Sequence, residues 1–204
     1  MIEQCNIIVM AKAPRPSFAK TRLMPALGAA GAAALAERLL DATLAQALAA
    51  GAAAVDLCCA PDTDHPAFER LAMSARVSLS VQGEGDLGER MARAFARRLA
   101  PGRAALMIGT DAPALDAAML VRAAHALRDV DAVFVPALDG GYALIGLHHT
   151  APGLFSNIAW STASVMAQTR ERLNAAGLRH VELTPVADID EPSDLVHLPR
   201  GWIA

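Results

Sequence analysis

The chain restricts its own fold most through one pattern, the alternation of short apolar runs with helix-period segments. The run CNIIVMA (5–11) is followed by a long Ala/Leu segment (about 29–50) and by AAVDLCCA (53–60), which reads as strand, helix, strand. A short segment (66–73) precedes RVSLSV (76–81), and a helix over about 87–100 leads to AALMIG (104–109). Between about 116 and 128, Met119, Leu120, Ala123, Ala124 and Leu127 share one helical face, and DAVFVPA follows. Such alternation predicts an α/β fold of three layers, α/β/α, around a mostly parallel sheet that binds ligands at the carboxyl ends of its strands. DAVFVPA and YALIGL (142–147) flank LDGG, whose Asp-Gly and Gly-Gly pairs suit a tight turn, so an antiparallel excursion is expected there. A last helix over about 162–176, closed by Gly177, precedes HVELTP and the polar tail DIDEPSDL.

Length and charge set the bounds. At 204 residues, 54% of them hydrophobic, the chain suits one sizeable core and a single domain over 1–204. With 18 Lys and Arg against 21 Asp and Glu, the net charge of −3 offers no general attraction to nucleic acid or anionic membranes, so any phosphate chemistry must be local. No apolar run is expected to reach the ~18 residues of a membrane span, and a cytoplasmic protein is the simplest expectation. Cys5, Cys58 and Cys59 fall in strand-like apolar runs and read as core. Neither they nor the six His show zinc-type spacing.

The chemistry concentrates in the loops after the strands. AKAPRPSFAKTRLMP places Lys12, Arg15, Lys20 and Arg22 among the prolines Pro14, Pro16 and Pro25. Proline fixes φ and disfavours helix at the residue before it, so this basic loop stays extended at the sheet's edge. Arg22 suits a forked grip on phosphate oxygens and Lys20 a point charge, the bland alternative being a solvated loop. The dipeptide Lys20-Thr21 lacks the glycines of a Walker A loop. GEGDLG (83–88) matches a dinucleotide fingerprint by letter, yet Glu84 and Asp86 would set carboxylates beside a pyrophosphate. Asp86 and Glu89 read more simply as a capping box.

In GTDAPAL (109–115), Asp111 follows an apolar run that Pro113 prevents from continuing, so its acid faces the ligand crevice. With the basic loop, this suggests Mg²⁺ or Mn²⁺ held by Asp111 and phosphate oxygens, because Mg²⁺ takes only one or two protein carboxylates. A turn-capping acid is the alternative. Asp116 reads as an N-cap. Asp139 of PALDGGYALIG and the acids of DIDEPSDL, with Asp188 and Asp190 two apart on one face of an extended segment, offer a second ligand or a base. Gly140 and Gly141 either admit a ligand close to the backbone or only turn the chain.

Taken in order, MAKAPRPSFAKTRL, GDLGERM, IGTDAPAL, PALDGGYALIGL, IAWSTASVMAQT and DIDEPSDL resemble, over nearly the whole chain, a bacterial family of glycosyltransferase-like proteins labelled as arsenosugar-biosynthesis glycosyltransferases. These belong to the nucleotide-diphospho-sugar transferase superfamily. The resemblance implies a GT-A type fold, with the nucleotide over about 1–115 and a small-molecule acceptor over about 116–204. It makes Lys20 and Arg22 phosphate contacts and Asp111 a metal ligand; Lys12 at the end of the first strand and Asp190 of the tail are added as a candidate phosphate contact and a candidate second ligand. It sets Asp139 and Tyr142 beside the sugar or acceptor, with Trp160 and Ser161 further along the cleft; Gly140 and Gly141 are taken with them, and Asp139 as the acid that orients or deprotonates the acceptor hydroxyl. Trp160 also suits a core position. The family loop usually reads Pro-x-Pro-Gly, where this chain has Ser17. A glycosyltransferase using a nucleotide diphospho-sugar is the first expectation. Nucleotidyl transfer from a triphosphate, as in phospholactate guanylyltransferase or the molybdenum-cofactor cytidylyltransferases, is the second, and a non-catalytic nucleotide-binding module the third.

Overall fold

The computed structural model describes residues 2–151 and 153–203. Seven strands form one sheet: β1 (Cys5–Lys12), β2 (Val55–Ala60), β3 (Val77–Val81), β4 (Ala104–Ile108), β5 (Ala132–Pro136), β6 (Tyr142–Leu147) and β7 (His180–Glu182). Their spatial order is β3-β2-β1-β4-β6-β5-β7. β1 runs parallel to β2 and β4, β2 to β3, and β5 to β7, whereas β6 is antiparallel to both β4 and β5. The mostly parallel sheet with an antiparallel excursion is therefore present. The hairpin expected at LDGG is formed, and its second strand inserts between β4 and β5, so the two halves of the chain interleave in the sheet.

Five helices cover the sheet: α1 (Met24–Ala49), α2 (Pro66–Ala72), α3 (Leu87–Arg98), α4 (Ala117–Ala126) and α5 (Val165–Ala175). Leu40 and Leu44 of α1, Phe68 of α2 and Leu120 of α4 pack with Ile7, Val9, Leu57 and Leu106 on one face. On the other face, Met91 and Phe95 of α3 and Met166 and Leu173 of α5 pack with Ile8, Met107, Phe134 and Ile145. Alternate strand residues thus feed opposite cores, as the pleat requires. A third, smaller cluster joins Leu23, Leu35 and Leu39 to Ile189 of the carboxyl-terminal tail, with Trp202 packed at its edge.

Local chemistry explains the boundaries. Gly28, at φ 69 and ψ 169, breaks α1, so its regular part begins where the sequence places it, near residue 29. Asp86 accepts from Glu89 N at 2.8 Å while Glu89 accepts from Asp86 N at 2.9 Å, which is the expected capping box. The Asp116 side chain accepts from Met119 N at 2.7 Å and caps α4. The three cysteines are buried and free, and burial pushes the Cys5 and Cys59 thiols up to about 12, which keeps them neutral core residues.

One expectation needs correction. By length and composition alone, the segment Thr21–Ala49, with a mean hydropathy of 1.3 over 18 residues, is long and apolar enough to cross a membrane. Alanine supplies that average. Glu37, Arg38 and Asp41 interrupt its apolar run, and Arg70 of α2 lies 3.1 Å from Glu37 and 2.8 Å from Asp41. With its inner face buried from Ala32 to Ala47, α1 is a layer of this fold.

An exposed ion pair gives a small pH-dependent term. Arg170 donates to both oxygens of Glu182, at 2.7 and 2.8 Å, and holds that carboxyl below its usual range. A depressed carboxylate contributes above its unfolded pKa and loses that contribution as pH falls through the folded value. Because both side chains are partly solvated, Glu182→Gln should cost no more than about 1 kcal/mol at neutral pH. Urea melts should show the difference closing in acid.

Candidate active site at the carboxyl edge of the sheet

The sheet order reverses direction between β1 and β4, and the loops leaving both strands meet there, at the crevice where ligands bind in open α/β sheets. The β1 loop contributes Lys20 and Arg22, the β4 loop contributes Asp111, and the segment after β7 contributes Asp188 and Asp190. Lys20 has φ 52, and its side chain is only 6% exposed. Its ammonium lies 2.6 Å from Asp111 Oδ1 and 4.0 Å from Asp190 Oδ1, and it donates to the Ile189 carbonyl. Ile189 N in turn donates to the Asp111 carbonyl at 2.8 Å. Arg22, more exposed, donates to Asp190 Oδ2 at 2.7 Å.

Beside this cluster, a cleft of about 310 Å³ is lined by Arg22, Asp139, Asp188, Asp190, Asp194 and His197, among others. Burial, followed by the charges of Asp139, Asp194 and Asp111, raises the Asp188 carboxyl above its ordinary range. The site is thus a concentration of negative charge with Lys20 and Arg22 inside it. Asp194 stiffens it by accepting from the backbone N–H groups of Asp190 and Glu191, at 3.1 and 2.7 Å.

The sequence-predicted residues divide into two groups. Lys20, Arg22, Asp111, Asp190 and Asp139 are brought together, and Lys12 stands exposed at the end of β1. Lys20 and Arg22 differ from expectation in that both already touch carboxylates. Ser17 adopts φ 60, a left-handed conformation that explains why glycine suits this position. Asp139 is exposed, and its Oδ1 accepts from Gly141 N at 2.8 Å, which closes the turn into β6.

Of the remaining candidates, Gly140, Tyr142 and Trp160 are packed against the chain itself, Trp160 in the core position that its size also suits. Gly140, at φ 93, permits a close approach, but to the chain itself: a Cβ there would lie 2.2 Å from the Ala163 carbonyl oxygen, and Met166 N donates to Gly140 O at 2.8 Å. Gly140→Ala should therefore cost about 2 kcal/mol or more. In thermal unfolding, that would lower Tm by at least about 5 °C. A Cβ on Gly141 would meet only the Asp139 carboxylate, at 3.2 Å. Tyr142 packs edge-on to Phe134, and its hydroxyl donates to Met91 Sδ at 3.9 Å. Burial raises its pKa, so it belongs to the α3 and α5 core and not to the cleft. Trp160 lies in the same core, over Gly88 of α3, where a Cβ would come 2.9 Å from the indole nitrogen. Ser161 is exposed at φ 62 in the segment that crosses Gly140.

The sequence points to the acids of DIDEPSDL as a group but singles out neither Asp194 nor Glu191, and gives no sign of the Ile189 carbonyl. The signal available was the density of acids in DIDEPSDL, whose folded spacing brings Asp188, Asp190 and Asp194 to one cleft.

Two oxygen ligands suit a hard cation such as Mg²⁺ or Mn²⁺ only if phosphate and water complete the shell. Asp111 and Asp190 fit that description: both flank one cation, the Lys20 ammonium, and both are partly open, with side chains 48% and 40% exposed. Among the described residues, no three His, Cys, Asp or Glu side chains form a ready metal cage.

The fold is of the nucleotide-diphospho-sugar transferase type. The chain belongs to the family described as "Uncharacterized protein conserved in bacteria (DUF2064)", whose profile matches residues 43–162. It is 31% identical to a protein from Desulfovibrio desulfuricans G20 provisionally named a nucleotide-diphospho-sugar transferase, over 97% of this chain and 87% of that one, with a TM-score of 0.87. A nucleotidyl transferase from Methanothermobacter shares the fold at 18% identity and a TM-score of 0.65, covering 98% of this chain and 97% of its own. Rv0371c from Mycobacterium tuberculosis H37Rv, solved in complex with manganese, shares it at 17% identity and a TM-score of 0.51, covering 97% and 99%. No curated protein matches the chain.

Proposed function

We propose that the chain is a cytoplasmic, metal-dependent transferase that takes a nucleotide diphospho-sugar as donor and passes the sugar to a small-molecule acceptor. The observation that carries this reading is the meeting of Asp111, Asp190, Lys20 and Arg22 at the switch point of the sheet. Asp111 and Asp190 would hold Mg²⁺ or Mn²⁺, which supplies Lewis-acid neutralisation of a leaving diphosphate. Arg22 is exposed enough to exchange its grip on Asp190 for phosphate oxygens, and Lys12 adds a cation at the end of β1. Lys20 adds fixed positive charge behind the carboxylates. Preorganised charges of this kind act where negative charge develops in the transition state.

Asp139 is placed to serve the acceptor. It lines the cleft shared with Asp188 and Asp190, its Oδ1 is fixed by Gly141 N, and it would orient or deprotonate an acceptor hydroxyl. The likeness of the six motifs to arsenosugar-biosynthesis glycosyltransferases and the name of the Desulfovibrio relative both favour a sugar on the donor.

A second reading, nucleotidyl transfer with release of pyrophosphate, is favoured by the end-to-end likeness in fold to the Methanothermobacter enzyme. The same cations would serve either leaving group. A donor panel separates the two. With nucleotide sugars and Mn²⁺, release of nucleoside diphosphate is expected. Pyrophosphate release from a triphosphate, without turnover of any sugar donor, would overturn the first reading in favour of the second. Nucleotide binding that neither depends on Mn²⁺ nor leads to turnover would leave only a binding module.

A further inference from the structure

We propose that Lys20 is a positioning residue whose buried ammonium latches the segment after β7 to the end of β4 and so assembles Asp111 and Asp190 into one pair. The two acids are far apart in sequence, and no strand carries both. What joins them is a compact knot. Lys20 Nζ sits 2.6 Å from Asp111 Oδ1, donates to the Ile189 carbonyl and lies 4.0 Å from Asp190 Oδ1. The Ile189 amide closes the knot by donating to the Asp111 carbonyl at 2.8 Å.

An ammonium has three N–H groups, and here Asp111 and the Ile189 carbonyl take two of them, with Asp190 Oδ1 beyond hydrogen-bond reach at 4.0 Å. A lysine serving mainly as a phosphate contact would present its head to the crevice, as Arg22 does at 58% exposure, whereas the Lys20 side chain is 6% exposed. The backbone of Lys20 is also held at φ 52, a conformation that an L-residue keeps only where its surroundings impose it. Beyond the knot the tail is fastened again. Ile189 is fully buried against Leu23, Leu35 and Leu39, and the Arg38 guanidinium lies 4.8 Å from the Trp202 ring while donating to the Gly201 and Trp202 carbonyls at 3.1 Å. The tail is therefore a strap pinned at its far end to α1 and at its near end by Lys20. The near pin, with the Ile189 amide on the Asp111 carbonyl and the Arg22 grip on Asp190, sets where Asp190 stands relative to Asp111. The functional consequence rests on the metal reading above, but the latch itself can be tested without metal or nucleotide.

The chain contains only two lysines, Lys12 and Lys20, which makes amine labelling with a mass-spectrometric readout specific. In the native protein Lys12 should acetylate at least about tenfold faster than Lys20, and Asp111→Asn should close most of that gap by opening the knot. In Lys20→Met, amide exchange over 187–191 should rise about tenfold or more while β1 and β2 keep their protection. Equal labelling of the two lysines in the native protein, or unchanged exchange in Lys20→Met, would overturn the latch. The labelling arm needs no Lys20 variant, so a misfolded Lys20→Met does not remove the test.

Mn²⁺ titration separates positioning from mere structural support. Asp190→Asn should weaken Mn²⁺ binding about tenfold or more in the native background and less than about twofold in Lys20→Met, where Asp190 is no longer seated. Equal losses in both backgrounds would overturn the positioning role. Failure of the native protein to bind Mn²⁺ would instead overturn the metal reading and leave the labelling result to decide the latch.

Discussion

Asp56→Ala is expected to lower the unfolding free energy by about 3 kcal/mol, because it removes a fully buried carboxylate and leaves the partly buried Arg98 without its counter-charge. Asp56 is the second residue of β2, with a side chain that is 0% exposed, and Arg98 Nη2 approaches its Oδ1 at 2.9 Å. That contact is an ion pair without hydrogen-bond alignment, since Oδ1 and Arg98 Nε both lack an aligned partner. The alignment comes from neighbours: Ser80 Oγ donates to Asp56 Oδ2 at 3.0 Å, and Arg98 Nη2 donates to Ser78 Oγ at 2.5 Å. The Asn6 amide adds a bond at 2.7 Å to the Arg98 carbonyl. A fall in Tm of roughly 10 °C in a calorimetric scan would match this loss for a chain of this size. Because replacing both members of a buried pair by apolar groups removes the desolvation cost along with the attraction, Asp56→Leu with Arg98→Met should recover most of the loss. A double variant as unstable as Asp56→Ala would show that the pair contributes more than its charges.

That network marks where sequence reading stops. The strands were legible because their runs are apolar and short, and the period of the helical segments identified the layers around them. The 87–100 helix was also placed correctly, since Asp86 and Glu89 are a local capping signal. The insertion of β6 between β4 and β5 was not legible, because an Asp-Gly-Gly turn fixes which strands form a hairpin and says nothing of the other neighbour. The same limit applied to side-chain partners. Asp56 in AAVDLCCA carries no sign that Arg98 will meet it, and Tyr142 beside Gly141 carries none that its ring turns into the α3 and α5 core. At the site, Asp111 and the basic loop were legible as chemistry because strand-end loops in a parallel sheet share one edge. Their direct contact was not, since it depends on the left-handed backbone of Lys20 and on a tail that returns about eighty residues later.

Asp111→Asn should reduce transferase turnover by about a thousandfold, equivalent to about 4 kcal/mol of lost transition-state stabilisation. The amide keeps the size of the carboxylate but not its charge, so it removes the proposed metal ligand and the 2.6 Å ion pair to Lys20 in one change. The second loss should cost about 1–3 kcal/mol of stability, as for a charged hydrogen bond, and leave the protein folded at 25 °C. Turnover and unfolding measured on the same preparation therefore separate the two effects. Asp190→Asn is the informative partner, because Asp190 lies 4.0 Å from Lys20 and is held by Arg22, so its replacement disturbs the knot less. If both acids hold the metal, both variants lose turnover heavily, and raising Mn²⁺ partly restores Asp190→Asn while Asp111→Asn stays inactive. If Asp111 only anchors the tail, Asp111→Asn keeps turnover within about tenfold of the native protein and loses stability alone, an outcome that would remove the metal from this site.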